Sequence, residues 1–161
     1  GHGARPLPLR HTEAWPAVKL LSEDRLFLDT AYVLALVNVR DRYHSSARAL
    51  LQRVRAAIEV WVTEAVLTEV GNVLARSHRA EAAAFILGCY TTPNARVVPV
   101  DTPLFHRALD LYRSRADKAW SLTDCISFVV MQDHGLVDAL TPDEHFRQAG
   151  FRALLREETH G

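Results

Sequence analysis

Short apolar runs alternate with longer amphipathic stretches along the chain from residue 25 onward. Five runs rich in large apolar residues predict short buried β-strands, over residues 26–28, 60–62, 96–100, 136–140 and 151–155. Between them, apolar residues recur at helical spacing over roughly 30–38, 44–59, 64–76, 78–90, 103–115 and 121–134. This alternation predicts an α/β fold, a single domain with a mainly parallel sheet of about five strands flanked by helices.

The first part of the chain has a different composition. Residues 1–24 contain three prolines and no clear period, and the opening Gly1-His2-Gly3 is typical of a tag remnant. We therefore expect a tag remnant and N-terminal extension over 1–24 and the folded domain over 25–161. No apolar run is long enough to cross a bilayer, and no signal peptide is expected, which favours a cytoplasmic protein.

Two bulk properties narrow the classes of function. Lys plus Arg and Asp plus Glu number 19 each, so the formal net charge is zero. A strongly basic, sequence-independent nucleic-acid binder is therefore disfavoured, although an acidic centre with a local basic rim is not. The two cysteines, Cys89 and Cys125, do not form a disulfide framework and are predicted to be buried, reduced thiols.

Carboxylates follow two of the predicted strands. Asp29 comes directly after the first run, and Asp143 follows the fourth run by three residues. In an open α/β sheet, sites form outside the carboxyl ends of the strands. The alternative for each residue is an ordinary one, in which Asp29 caps the next helix and Asp143 begins a short one.

Two further carboxylates lie on predicted helices. Glu69 is at the margin of an apolar stripe formed by Val66, Val70 and Val73, where a solvated side chain is the simple alternative. Asp124 begins a helix that is apolar on nearly all sides, so its charge needs a partner or a metal ion. The sequence from Ser121 to Asp124 also matches a capping box, and the two interpretations are compatible.

Four carboxylates at one sheet edge would repel one another unless a cation lay among them. Mg²⁺ and Mn²⁺ prefer oxygen ligands, and two such ions can activate water and stabilise the leaving oxygen of a phosphoryl displacement. No zinc-type Cys/His spacing, Walker loop or GxGxxG motif is present. The set therefore predicts a metal-dependent phosphoryl displacement that needs no His, Ser or Cys nucleophile.

The order and surroundings of these acids resemble the PIN-domain family, specifically VapC-type toxins of toxin–antitoxin modules. The resemblance spans about residues 25–155 and depends on four segments in order: Leu26-Phe27-Leu28-Asp29-Thr30, Thr63-Glu64-Ala65-Val66-Leu67-Thr68-Glu69-Val70, Ser121-Leu122-Thr123-Asp124-Cys125-Ile126-Ser127-Phe128 and Leu140-Thr141-Pro142-Asp143-Glu144-His145-Phe146. Residues before about 25 have no counterpart in the family pattern.

The resemblance implies a single PIN-like domain that acts as a Mg²⁺- or Mn²⁺-dependent endoribonuclease, forms a homodimer and is inhibited by a cognate antitoxin. It implies four catalytic and metal-binding acids, namely Asp29, Glu69, Asp124 and Asp143. Thr30 and Thr123 are candidates for orienting water or substrate, with plain helix capping as the alternative. Arg40 and Arg42 are candidates for contacting RNA phosphates, with a solvated loop position as the alternative. His44 falls where relatives often have a histidine, although a packed surface residue at a helix start is the preferred interpretation.

Two alternatives remain open at this point. The first is a non-catalytic PIN fold that binds RNA or a protein, which the presence of all four acids disfavours. The second is a Mg²⁺-dependent phosphohydrolase of small molecules. Enzymes of the haloacid-dehalogenase type place Asp-x-Asp after the first strand, whereas this chain has Asp29-Thr30-Ala31.

Overall fold

Five parallel strands form one sheet in the computed structural model of the protein, which describes residues 22–156. The strand order is β3-β2-β1-β4-β5, and all four neighbouring pairs are parallel. The predicted sheet is confirmed, and it is parallel throughout. The strands are β1 (Arg25–Leu28), β2 (Glu59–Thr63), β3 (Ala95–Val98), β4 (Asp138–Leu140) and β5 (Arg152–Ala153).

Seven helices accompany the sheet in the described residues. The six predicted helical stretches are all present, and a seventh, short helix follows β4 as the capping interpretation of Asp143 implied. The helices are α1 (Thr30–Val37), α2 (His44–Ala56), α3 (Glu64–Val73), α4 (Arg79–Thr91), α5 (Thr102–Ser114), α6 (Leu122–Asp133) and α7 (Glu144–Gln148).

Several predicted helices and strands extended too far. The helix predicted to reach residue 59 ends at Ala56, because the backbone N–H of Ile58 donates to the Asp24 carbonyl and Glu59 begins β2. The β-branched and aromatic residues of 58–62 favour that extended conformation. The strand predicted from residue 136 begins at Asp138, because Gly135 has a φ of 64° and the Leu136 N–H bonds back to the Met131 carbonyl.

The core lies between the sheet and the helices, and α6 is its most deeply buried helix. Residues 124–131 are all buried, as the apolar pattern of α6 predicted. On α3, by contrast, Val73 is 53% exposed, and the buried stripe is formed by Val66, Leu67 and Val70. The predicted stripe was therefore wrong only at Val73. Of the two thiols, Cys125 is buried and Cys89 only half-buried.

The two central strands decide where a site can form. After β1 the chain crosses to β2 on one side, and after β4 it crosses to β5 on the other. The loops at the carboxyl ends of β1 and β4 therefore diverge, which opens a crevice at the point where open α/β folds bind ligands. Asp29 and Thr141 are the first residues after these two strands.

Most of the predicted N-terminal extension lies outside the described residues, which include only 22–24 of it. There Asp24 accepts two hydrogen bonds from the Arg53 guanidinium, at 2.8 and 3.0 Å. This pair lowers the pKa of the Asp24 carboxyl. Within residues 22–156, no helix combines the length and apolar composition needed to cross a membrane.

Candidate active site

The carboxylate of Asp29 is buried at the end of β1. It is 7% exposed and occupies the N-cap position of α1, but it makes no helix-capping hydrogen bond. Instead, the Thr141 hydroxyl donates to its Oδ2 at 2.8 Å. The capping alternative for Asp29 is therefore wrong, and its carboxylate is directed toward β4.

The protonation of Asp29 reflects this environment. Its pKa is raised to about 7, mainly by burial and to a smaller extent by the nearby carboxylates of Asp124 and Asp143, while the hydrogen bond from Thr141 opposes the shift. A carboxylate that is desolvated among like charges lacks a compensating cation. Such a perturbed group in a crevice is a candidate for function.

Thr141 links two of the acids. Its side chain is fully buried, donates to Asp29 and accepts the backbone N–H of Asp143 at 3.1 Å. The hydroxyl thus fixes both the Asp29 carboxylate and the turn that carries Asp143. We did not predict this role from the sequence, although the place of Thr141 directly after a central strand was a usable signal.

Asp124 is held at the first turn of α6 by the predicted capping box. Its N–H donates to the Ser121 hydroxyl at 3.0 Å, and its Oδ2 accepts the Ser121 N–H at 3.1 Å. The same Oδ2 lies 3.0 Å from Nδ1 of His145. Asp124 is only 8% exposed, so capping and a place in the acidic site hold together.

Asp143 and His145 complete this cluster from the turn before α7. Asp143 Oδ1 accepts the backbone N–H of His145 at 2.9 Å, so Asp143 does cap the helix. It also lies 3.5 Å from His145 Nδ1. One ligand atom from each of Asp124, Asp143 and His145 lies within 4.8 Å of the others, a spacing that can hold a metal ion. His145 was missed from the sequence, where it reads as an ordinary surface residue.

Glu69 does not join this hydrogen-bonded group. It is half-buried in the second half of α3, and its carboxylate makes no hydrogen bond or ion pair with another residue of the described range 22–156. The carboxylates that raise the Asp29 pKa are Asp124 and Asp143. The structure therefore brings three of the four predicted acids together.

The two threonine candidates differ. The Thr30 hydroxyl is buried and has no hydrogen-bond partner, the single such side-chain atom found among the described residues. A buried unpaired hydroxyl next to Asp29 is costly unless a ligand or water completes it. Thr123 is half-buried and lines a cavity of about 530 Å³ that begins immediately beside Asp124.

The candidate basic residues lie between the end of α1 and the start of α2. Arg40 and Arg42 are exposed in the loop after α1, and the Arg42 guanidinium lies 5.4 Å from the ring centre of Tyr43. His44 begins α2, and its Nδ1 is 2.7 Å from the carbonyl oxygen of Ala35. That contact supports the packing interpretation of His44.

The comparison with protein families decides the identity of the fold. The family model for the PIN domain matches residues 26–152, which is most of the chain. The chain belongs to the PIN domain family. The resemblance deduced from the four acidic segments is thereby confirmed.

Relatives within this family include a nuclease of known substrate. VapC20 of Mycobacterium tuberculosis, a 23S rRNA-specific endonuclease, is 31% identical over 128 residues, which are 78% of this chain and 95% of VapC20. The crystal structure of VapC20, described as a Sarcin-Ricin loop cleaving toxin, superimposes with a TM-score of 0.72 at 27% identity and covers 81% of this chain and 99% of its own. This PIN protein is thus a homologue of a VapC-type ribonuclease toxin.

A more distant structure supports the fold alone. FitAcB from Neisseria gonorrhoeae superimposes with a TM-score of 0.56 at 16% identity, over 80% of this chain and 96% of that one.

Proposed function

We propose that this chain is a Mg²⁺- or Mn²⁺-dependent endoribonuclease that hydrolyses RNA phosphodiester bonds and serves as the toxin of a toxin–antitoxin pair. The observation that carries the proposal is the convergence of Asp29, Asp124 and Asp143 at the carboxyl edge of the sheet. The homology to an rRNA endonuclease toxin supports it. The proposal keeps Glu69 as the fourth acid of the site.

The residues present fit a divalent cation. Asp124, Asp143 and His145 would hold it, with Asp29 beside them across the Thr141 hydroxyl. The raised pKa of Asp29 and the unpaired Thr30 hydroxyl both indicate a site completed by a charged or polar ligand. When bound, such an ion would supply positive charge that polarises the scissile phosphate and activates the attacking water.

The protein groups prepare that site before any substrate arrives. Thr141 and Ser121 fix two of the carboxylates through the hydrogen bonds described above, so little reorganisation is needed when the substrate binds. Glu69 has an unpaired carboxylate among the described residues and would orient water or take a proton. Thr30 and Thr123, each next to an acid in sequence, would orient water or substrate.

Other residues would contact RNA phosphates and protein partners. Arg40 and Arg42 would contact phosphates, which arginine binds through its forked donors. Val73 of α3 is 53% exposed and Leu87 of α4 is 67% exposed. Large exposed apolar residues on two neighbouring helices support contact with a second copy in a homodimer or with a cognate antitoxin. A cytoplasmic location agrees with this role.

A direct experiment separates nuclease activity from small-molecule hydrolysis. The purified protein is incubated with Mn²⁺ and either folded RNA that contains single-stranded loops or p-nitrophenyl phosphate. We expect endonucleolytic RNA fragments and no release of nitrophenol. Hydrolysis of the small ester without RNA cleavage would support a phosphohydrolase, and RNA binding without cleavage would support a non-catalytic module.

Replacing His145 with asparagine is expected to weaken Mn²⁺ binding more than Mg²⁺ binding. Imidazole nitrogen is a better ligand for transition metals than for Mg²⁺, which prefers oxygen. We expect Mn²⁺ affinity to fall about tenfold when the imidazole is lost, which is the lower end of the effect of single substitutions around metal sites. Calorimetric titration of the metal-free protein with each ion measures the change.

The matched control is His106→Asn, because His106 is an exposed residue of α5. It should leave both affinities unchanged. Equal losses of Mn²⁺ and Mg²⁺ affinity in the His145 variant would show that His145 positions the carboxylates and is not itself a ligand.

A further inference from the structure

A solvent-accessible cavity adjoins the acidic site on its α3 side. It has a volume of about 530 Å³, which lies in the range of small-ligand pockets, roughly 300–1,000 Å³. Its wall includes Glu64 and Thr68 from the start of α3, Phe105 from α5, and Leu122, Thr123 and Ile126 from the start of α6. Both α3 and α6 begin at the carboxyl edge of the sheet, and Thr123 directly precedes Asp124.

The cavity is lined by one aromatic ring and by several aliphatic side chains. Phe105 is 41% exposed, which leaves a large part of its ring in contact with solvent. Ile126 is buried and provides an apolar surface. Proteins that bind single-stranded RNA stack unpaired bases on such exposed aromatic rings. The exposed ring and the aliphatic lining therefore suit a stacked nucleobase.

A single oriented carboxylate faces this cavity. The Tyr90 hydroxyl donates to Oε2 of Glu64 at 2.7 Å, which fixes the Glu64 side chain from the side of α4. Within residues 22–156, Oε1 of Glu64 has no hydrogen-bond partner. A carboxylate is an acceptor only, with two oxygens that can receive two parallel donors. The Glu64 carboxylate therefore favours a ligand that presents hydrogen-bond donors to it.

From this arrangement we infer that the cavity is a recognition pocket for an unpaired guanine next to the scissile phosphate. Guanine presents two adjacent donors, N1–H and the N2 amino group, which match the two oxygens of Glu64. Adenine, cytosine and uracil each present one donor on the corresponding edge. Because base pairing covers this guanine edge in a duplex, the pocket requires a looped or single-stranded guanine.

The inference rests on the proposed ribonuclease function and assigns separate roles to three residues. Glu64 is the specificity-determining residue, Phe105 is the stacking surface, and Tyr90 positions the Glu64 carboxylate. None of these three residues belongs to the acidic cluster. Base recognition can therefore be measured without metal and without cleavage.

The test measures the affinity of the full-length protein in EDTA for five nucleoside monophosphates, GMP, IMP, AMP, CMP and UMP. Their phosphates are identical, so differences report on the base. We expect GMP to bind tightest and IMP, which lacks the N2 amino group, to bind about tenfold more weakly, as for the loss of one hydrogen bond to a charged group. Calorimetry or NMR titration gives the dissociation constants.

Substitutions identify the groups responsible. Glu64→Gln should remove most of the GMP preference over IMP, whereas Phe105→Ala should weaken all five ligands by about tenfold through the lost stack. The matched controls are Glu81→Gln, an exposed acid on α4, and Tyr112→Ala, an exposed aromatic of α5. Neither control should change any affinity.

The outcomes for recognition and for catalysis are separable. Equal affinity for GMP and AMP, no binding of any nucleotide, or an unchanged preference in Glu64→Gln would overturn the guanine pocket. Sequencing of RNA ends then adds a second readout, in which the wild type leaves guanine at one fixed position beside the cut and Glu64→Gln does not. Guanine binding without any RNA cleavage would reject the nuclease proposal and leave the pocket intact.

Discussion

Replacing Asp124 with asparagine should reduce RNA cleavage about a thousandfold, the scale on which active sites depend on a single well-placed electrostatic group. The asparagine oxygen can still accept the Ser121 N–H, so the start of α6 should keep its capping geometry. What the variant loses is one of the carboxylates that would hold the divalent ion. Its residual activity should therefore be as low as that of the wild-type protein in excess EDTA, which a gel of end-labelled RNA compares directly.

Ser121→Ala is the matched control for Asp124→Asn. It removes the hydroxyl that accepts the Asp124 N–H but leaves the carboxylate in place. Loss of a serine cap should lower the free energy of unfolding by about 1 kcal/mol while most RNA cleavage remains. If Ser121→Ala abolished cleavage and Asp124→Asn retained it, Asp124 would have only a structural role.

The architecture followed from the sequence because each local pattern agreed with the others. Three consecutive apolar residues at β1, for example, predict a strand that is buried on both faces. The helical stretches between such runs predict parallel connections. The errors were at the ends of elements. Residues 57–59 include no glycine or proline that would end a helix, and the hydrogen bond from Ile58 to the Asp24 carbonyl is a contact that the sequence pattern cannot show.

The candidate site was predictable only in part. Asp29, Asp124 and Asp143 each follow a strand or begin a helix, so their positions in the fold were enough to place them at one edge. The roles of Thr141 and His145 depend on contacts across 112 and 21 residues of sequence respectively. Such tertiary hydrogen bonds leave no periodic signal in the chain. For the same reason the sequence could not show that Glu69 lies outside the hydrogen-bonded group.

Asp29 should make the metal-free protein less stable as the pH rises from about 4 to about 7. In the unfolded chain its carboxyl titrates near its ordinary pKa of 3.8, whereas burial and the neighbouring charges of Asp124 and Asp143 raise the folded-state pKa to about 7. Between these values the folded protein binds a proton that the unfolded chain does not. Protonation therefore favours folding at low pH, and the full penalty of an ionised Asp29 is present above about pH 7.

The size of this effect can be bounded. Raising the pKa of the Asp29 carboxyl from 3.8 to about 7 corresponds to about 4 kcal/mol at most. Asparagine removes the charge but brings an amide that is itself costly to bury without partners. We therefore expect Asp29→Asn to raise the free energy of unfolding at pH 7.5 by about 1 kcal/mol in EDTA and to flatten its dependence on pH. Urea denaturation at several pH values measures both quantities.

The same Asp29→Asn substitution should reduce RNA cleavage about a thousandfold, because it removes a negative charge beside the metal-binding cluster. It should also reduce the stabilisation that millimolar Mn²⁺ gives the wild type, which is about 2.7 kcal/mol when the ion is at a hundredfold excess over its dissociation constant. Asp110→Asn, an exposed acid of α5, is the control and should change neither property. An acid of the active site should therefore show effects in opposite directions when it is replaced. The variant gains metal-free stability, while it loses RNA cleavage and the stabilisation by Mn²⁺. If Asp29→Asn were less stable than the wild type at pH 7.5 and still cut RNA, Asp29 would be a structural residue and the active-site assignment would be wrong.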